Sequence, residues 1–406
     1  MTRRFNQTTR LITQAINFVL LNLALFLFLF CNLASGQADD SGSPDQSTST
    51  ESKVTELQKS FDNAIEELRT AVKTIKRTGA KFYQSRSTEA YEFRDQWEGE
   101  AVVAEAAFKR VQESAIALFF ALEAPNDELL KIVNGINKKL VDKGQLTDCY
   151  AITKKLLSFN PNDPDLRKLM GRVSIMTNDF DSALSYYKTN RSETELFGLP
   201  EQMIYGSVNK LAPDFERELK YRESDAQGEP LPQAVIKTNK GTIVIELFEN
   251  QAPETVANFV SLAKAGFYEG VIFHHVLNNM IAESGGMTIS EPKPIDYTIH
   301  DESQKPDARH HFRGSVSMVL NDNQPNTGGS LFRIMRVPNP FLNGKSTVFG
   351  RVISGMKVLD SIENTFKINE EEADEEVIMG VIPDTIESVT LKQLRKHEYE
   401  PNRVNK

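Results

Sequence analysis

The chain has 406 residues and a net charge of −9, with ordinary hydrophobic (40%) and charged (25%) fractions. Such a length exceeds one ordinary core and predicts two domains with accessory segments. The acidic balance, with no basic cluster outside the N-terminus, excludes a nucleic-acid binder, which needs a basic face against phosphates.

In chain order, the first feature is a targeting segment. Arg3, Arg4 and Arg10 precede an apolar run from Phe18 to Leu33, and small residues follow at Ala34-Ser35-Gly36. This pattern predicts a signal peptide over residues 1–36, cut after Gly36 or Ala38. The alternative is an uncleaved membrane anchor, since the run is only slightly short of the about 20 residues a span needs. The expected location is therefore exported, periplasmic or secreted, with membrane contact only through this segment if it stays attached. Phe30 before Cys31 does not suit a lipoprotein signal. Once the signal is removed, Cys149 is the only cysteine and no internal disulfide can form.

Residues 37–52 are polar, Ser/Asp-rich and without periodicity, which predicts a disordered linker. A helical domain is expected over 53–225. Val54, Leu57, Phe61, Ile65, Leu68, Val72 and Ile75 recur at threes and fours, the spacing of an amphipathic helix. A second helix from Thr88 to Glu123 carries Trp97, and the two read as a helical hairpin. Gly171, Asn178-Asp179-Phe180, Ala183 and Tyr187 fall at the positions of a tetratricopeptide repeat. A shift of 34 residues gives a weaker unit around Asn137, Gly144 and Cys149. These repeats, at about 130–197, predict either a peptide-binding groove with a protein partner or a packing spacer. Leu199 to Pro232 is polar and reads as a connection.

From 233 to 395 the pattern changes to short strands. Two of them flank Asn239-Lys240-Gly241 as a hairpin, and Ala252 to Ala265 forms a helix with Pro253 in its first turn. Many short strands with few helices imply a closed or sandwiched β architecture. The acidic run Glu370 to Glu376 reads as a solvated loop, and 396–406 as a flexible tail. His274-His275 and His310-His311 do not suggest a metal site, because neighbouring residues on a strand face opposite ways.

Gly241-Thr242-Ile243, Ala252-Pro253, Asn258-Phe259, Gly266-Phe267-Tyr268, Phe273-His274, Pro325-Asn326-Thr327, Gly329-Ser330, Phe332 and Val348-Phe349-Gly350 occur in the order found in one family. The region resembles the cyclophilin-type peptidyl-prolyl cis-trans isomerases. The resemblance implies a fold class of an N-terminal helical, tetratricopeptide-like domain followed by a closed antiparallel β-barrel. A groove on the outer face of the barrel would hold the substrate. The implied reaction is rotation about an X-Pro imide bond, whose resonance barrier is about 18–20 kcal/mol. No covalent step or cofactor is implied, only preferential binding of the twisted state. In the family an arginine donates to the prolyl nitrogen as it pyramidalises. His275 stands in that arginine's place, Glu283 replaces a supporting glutamine, and Arg333 replaces a pocket phenylalanine. These three are the candidate catalytic residues. Phe273, Met280, Ile281, Asn326, Phe332, Phe341, Leu342 and Ser346 are the candidate substrate-binding residues, with Ser346 where the family has a histidine. Arg333 either replaces the lost guanidinium from another wall or leaves a groove that binds without turnover. The expected partners are proline-containing peptides or unfolded client proteins. The alternative functions are a catalytically impaired peptide-binding or chaperone module, and a scaffold with a passive barrel.

Overall fold

A computed structural model of the protein describes residues 48–84, 89–189, 199–321, 324–369 and 374–405. The signal segment 1–36 and most of the linker lie outside these residues. Among the described residues no helix is long and apolar enough to cross a membrane. The chain divides into two compact units, residues 1–136 and 137–406.

In the first unit, α1 (Thr48–Gln84) begins inside the stretch read as linker, with Glu51 complementing the helix dipole in its first turn. Its Phe61, Leu68, Val72 and Ile75 are buried at the predicted spacing. α2 (Glu89–Ala121) runs antiparallel to it: Thr78 donates to Glu100 at 2.9 Å and Arg110 pairs with Glu67 at 2.8 Å. Gly79 allows this approach, since a Cβ there would lie 3.2 Å from the Trp97 ring.

The second unit contains the end of α3 (Asp127–Asp142), then α4 (Leu146–Phe159), α5 (Pro164–Met176), α6 (Phe180–Thr189) and α7 (Leu199–Gln227). Short turns join consecutive helices. Gly144 turns the chain after α3 at φ 70°, and Asn178 closes α5 at φ 67°. α5 is capped by Asp163, which accepts from Leu166 N, with Pro164 in the first turn. Gly171 is needed where α5 meets α6, because any Cβ would run into the Tyr186 ring. α7 shows that the stretch read as a polar connection is mostly helix with a buried face. Val208, Leu211 and Glu218 are buried and Phe215 packs beside them. Their three-and-four spacing was masked by the polar residues between them.

The strands are β1 (Gln233–Thr238), β2 (Gly241–Leu247), β3 (His275–Leu277), β4 (Ile281–Ser284), β5 (Tyr297–Ile299), β6 (Ser315–Met318), β7 (Phe332–Met335), β8 (Val348–Ser354), β9 (Phe366–Asn369), β10 (Asp374–Val377), β11 (Ile386–Lys392) and β12 (Arg403–Asn405). Ten of them form one sheet in the order β10-β9-β3-β4-β7-β6-β8-β2-β1-β11. All its pairings are antiparallel except β3 with β9. The sheet is not closed into a barrel, contrary to expectation. β11 instead meets the segment before β3 through Gly270 N to Ile386 O (2.9 Å), Ile386 N to Val271 O (2.8 Å) and Phe273 N to Asp384 O (2.8 Å). These bonds fall short of a ladder, and the far side of β3 is taken by β9. Between β2 and β3, α8 (Pro253–Lys264) fills the interior: Phe259 stacks on Tyr268 at 5.0 Å and meets Phe332 edge-on at 5.7 Å.

The tail is docked through Asn405 rather than flexible. β12 pairs with β5, Tyr399 is buried and donates to Glu249, and Arg403 lies over the Tyr297 ring at 4.5 Å. The second half of the acidic run is strand rather than loop: Asp374, Glu375 and Glu376 lie on β10 and pair with β9, while 370–373 lie outside the described residues.

Residues Arg309 to Arg313, just before β6, join the helices to the sheet. Arg309 is enclosed between Glu218 (3.1 Å) and Asp225 (2.6 Å) of α7 and lies over the rings of Tyr221 and Phe248. Phe312 packs with Phe180 and Phe215. Arg313 pairs with Asp360 of α9 (Met356–Ser361) at 2.7 Å and exchanges backbone bonds with the Asn178 side chain.

Candidate functional site

Strand register assembles the site. His275 on β3 is directly opposite Glu283 on β4, Glu283 opposite Arg333 on β7, and Arg333 opposite Ser317 on β6. Residues opposite one another share a face of the sheet, so the four side chains form one row. The neighbouring positions face the other way. Burial corrects two expectations: Phe273 and Phe332 are enclosed in the core with Phe259 and Tyr268 and do not line a groove. Alternation along β7 puts Phe332 inward because Arg333 is outward.

Both ring nitrogens of His275 are engaged. Nδ1 is 3.1 Å from Glu283 and Nε2 is 2.7 Å from Glu375 on β10. The Glu283 hydrogen bond, against an opposing burial effect, raises the His275 pKa above its ordinary value, with both carboxylate charges adding to the rise. Burial pushes Glu283 up, but the His275 hydrogen bond and then the Arg333 charge outweigh it and hold the carboxyl below its usual range.

Arg333 is nearly enclosed, and its Nε is 3.3 Å from the other Glu283 oxygen. Burial lowers its pKa and Glu283 opposes that shift. Only Nε of its nitrogens is sealed without a hydrogen bond, and no described residue accepts one from Nη1 or Nη2. The guanidinium fork thus keeps donors to offer, while the imidazole of His275 has spent both of its nitrogens.

His311 was read only as a histidine pair with His310 and missed as a site residue. It is 1% exposed, and its backbone N (2.9 Å) and Nδ1 (3.1 Å) both reach Asn343 Oδ1. Asn343 as acceptor fixes the Nδ1–H tautomer, leaving the lone pair on Nε2, 3.4 Å from Ser346 Oγ. Burial, with the Arg333 charge assisting and Asn343 opposing, pushes the His311 pKa down to about 3. The ring is therefore neutral at working pH. Its position answers a question raised by the sequence. Ser346 stands where the resemblance puts a histidine, and His311 brings an imidazole to that spot from another segment. Ser346 itself is buried and donates to Met318 O at 2.9 Å. No local motif announces this substitution, because 35 residues separate the partners.

Of the remaining candidates, Met280 and Phe341 are exposed, Phe341 by 79%. Ile281 is buried with Leu277 and Met335, and Leu342 packs against that cluster. Asn326 has φ 62° and its side chain accepts from Asp301 N at 2.8 Å, so it braces a turn. A cavity of about 210 Å³ beyond the row is lined by Asn321, Thr327 and Leu331 among others.

Residues 234–382 match the family model described as cyclophilin type peptidyl-prolyl cis-trans isomerase/CLD. A peptidyl-prolyl cis-trans isomerase of Helicobacter pylori is 43% identical over 133 residues, which are 32% of this chain and 79% of that protein. The chain belongs to the cyclophilin-type peptidyl-prolyl cis-trans isomerases. The isomerase ppi1 of Schizosaccharomyces pombe is 40% identical over 130 residues, 30% of this chain and 79% of that protein. Among solved structures, a cyclophilin type isomerase of Cryptosporidium parvum is 27% identical with a TM-score of 0.32, covering 40% of this chain and 98% of that one. The cyclophilin domain is thus the C-terminal sheet domain, and the helices before it lie outside the matched region.

Proposed function

We propose that the protein catalyses cis-trans isomerisation of X-Pro bonds in peptide substrates and that Arg333 is the donor to the prolyl nitrogen. The observation that carries this assignment is the contrast in hydrogen bonding. The one ion pair of Arg333 with a described residue uses Nε, which leaves Nη1 and Nη2 to donate, whereas both His275 nitrogens face carboxylates. The ion pair of Nε with Glu283, at 3.3 Å, orients the fork. A fixed donor that meets the nitrogen lone pair only as the imide twists lowers the barrier without binding the planar states more tightly. His275 then serves as a clamp between Glu283 and the β9–β10 hairpin. Met280 and Phe341 supply exposed apolar surface for the peptide.

The test is proline exchange by NMR on an Ala-Pro peptide with the full chain, its Arg333→Lys variant and its His275→Gln variant. Fast exchange lost in the first variant and kept in the second supports the assignment. Equal rates in all three overturn it.

A second reading, binding without turnover, is favoured by one feature. Arg333 occupies a wall where the resemblance puts a phenylalanine, so part of the apolar lining is charged. Absent exchange combined with measurable peptide affinity would select that reading.

Two further elements of the proposal rest on sequence. The basic and apolar pattern of residues 1–36 supports an exported location, testable by N-terminal sequencing of the protein from fractionated cells. The helix pairs around 130–197, with Gly171 against Tyr186, support tetratricopeptide-like repeats that hold unfolded clients near the groove.

A further inference from the structure

We infer that the β9–β10 hairpin builds an accessory subsite beside the isomerase row, for a bulky apolar side chain of the substrate that lies next to a basic residue. The inference rests on the isomerase reading above, because it takes the same peptide as the occupant.

A cavity of about 610 Å³ lies between the hairpin and the row. Met287, Phe366, Val377 and Ile378 give it apolar walls, and it shares His275 and Glu283 with the row. A peptide lying on the row therefore passes the mouth of this cavity. The wall is held in place by contacts that the chemistry leaves to His275: its Nε2 meets Glu375 at 2.7 Å and its ring stands edge-on to Phe366 at 4.7 Å. Five of the twelve exposed large apolar side chains among the described residues lie in the two segments around the mouth. They are Met287, Ile289, Val377, Met379 and Ile382, with Met379 88% and Ile382 77% exposed. Apolar surface concentrated in this way marks a binding site.

Charge selects the kind of occupant. Glu283 and Glu375 line the cavity with His275 between them, and Asp374 and Glu376 flank Glu375 on β10. A basic residue next to the buried apolar one would meet a complementary field, and an acidic one would be repelled. At about 610 Å³ the cavity has room for the apolar side chain together with its basic neighbour.

The experiment uses the full chain and peptides in which Leu-Lys, Leu-Glu or Gly-Gly stands before or after Ala-Pro. Exchange rates come from NMR and affinities from fluorescence anisotropy, with the wild type and Val377→Asn compared. Val377 is exposed and outside the row, so the variant should fold and isomerise the Gly-Gly peptide at the wild-type rate. The expected result is a preference for Leu-Lys over Gly-Gly of about tenfold, matching burial of one leucine side chain. That preference should be weaker for Leu-Glu and lost in Val377→Asn. Equal values for all peptides in the wild type overturn the subsite, as does a preference that Val377→Asn leaves untouched. If no peptide is isomerised, the isomerase reading fails and the affinities alone decide the subsite by the same criteria. Concentration-dependent dimerisation abolished by Val377→Asn would assign the surface to a second copy and overturn the inference.

Discussion

His275 and Arg333 occupy opposite ends of a single carboxylate, and their different surroundings assign them different work. Arg333→Lys keeps the charge but removes the planar fork, so kcat/KM should fall by about 10²- to 10³-fold, the usual cost of removing one transition-state donor. A steady-state assay beside a thermal melt separates this loss from unfolding. His275 yields a prediction in pH. Its folded pKa is raised above 6.5, so the stability it contributes is complete below 6.5 and is lost as pH rises through the folded value. Glu283 has a folded pKa below 4.5, so its contribution is present above 4.5 and lost as pH falls through the folded value. The difference in melting temperature between wild type and His275→Gln should therefore be greatest from about pH 4.5 to 6.5 and shrink at alkaline pH. A difference that stays constant to pH 9 would remove the charged clamp. Most of this row was legible in the sequence, since His275, Glu283 and Arg333 are all displaced motif positions. His311 was not legible, because its partnership with Ser346 and Asn343 depends on how two distant segments pack.

At the scale of elements, Arg309 to Arg313 is the most heavily committed segment of the second unit. Arg309→Ala leaves Glu218 and Asp225 enclosed without their shared cation, although Glu218 keeps Arg222. Breaking a buried pair in this way costs about 3–5 kcal/mol, and urea denaturation should register a loss of that size. A change below about 1 kcal/mol, the range of exposed pairs, would show that the site is hydrated in solution. α7, which supplies these acids, was misread as a connection because only every third or fourth residue is buried and the intervening positions are polar. The scaffold strands were legible for the opposite reason: hydrophobic alternation on β1 and β2 is continuous and is punctuated by Asn239-Lys240-Gly241. The closed barrel was an over-reading. Strand number and alternation specify a curled sheet, but the end pairings depend on the inserted β9–β10 hairpin beside β3.

For the molecule as a whole, helices α4 to α7 and the cyclophilin sheet share one compact unit, so the sheet domain is not an independent cassette. A chain trimmed to residues 228–406 would expose Phe312 and deprive Arg309 and Arg313 of Glu218, Asp225, Asn178 and Thr147. It should melt several degrees below the full chain, since about 1 kcal/mol corresponds to roughly 2–4 °C in a domain of this size. Calorimetry on both chains gives the answer, and equal melting temperatures would mean the helices add nothing. Within Arg309 to Arg313, adjacent side chains face different neighbours: Phe312 packs with the helices, while His311 meets Asn343 and Ser346. A ligand that displaces the helices at Phe312 acts on the same short segment that carries His311. By thermodynamic reciprocity, whatever free energy that displacement adds to or removes from peptide affinity is returned in equal measure to the ligand's own affinity when the peptide is bound. The two surfaces share five residues of chain, and any coupling between them is bound by that equality.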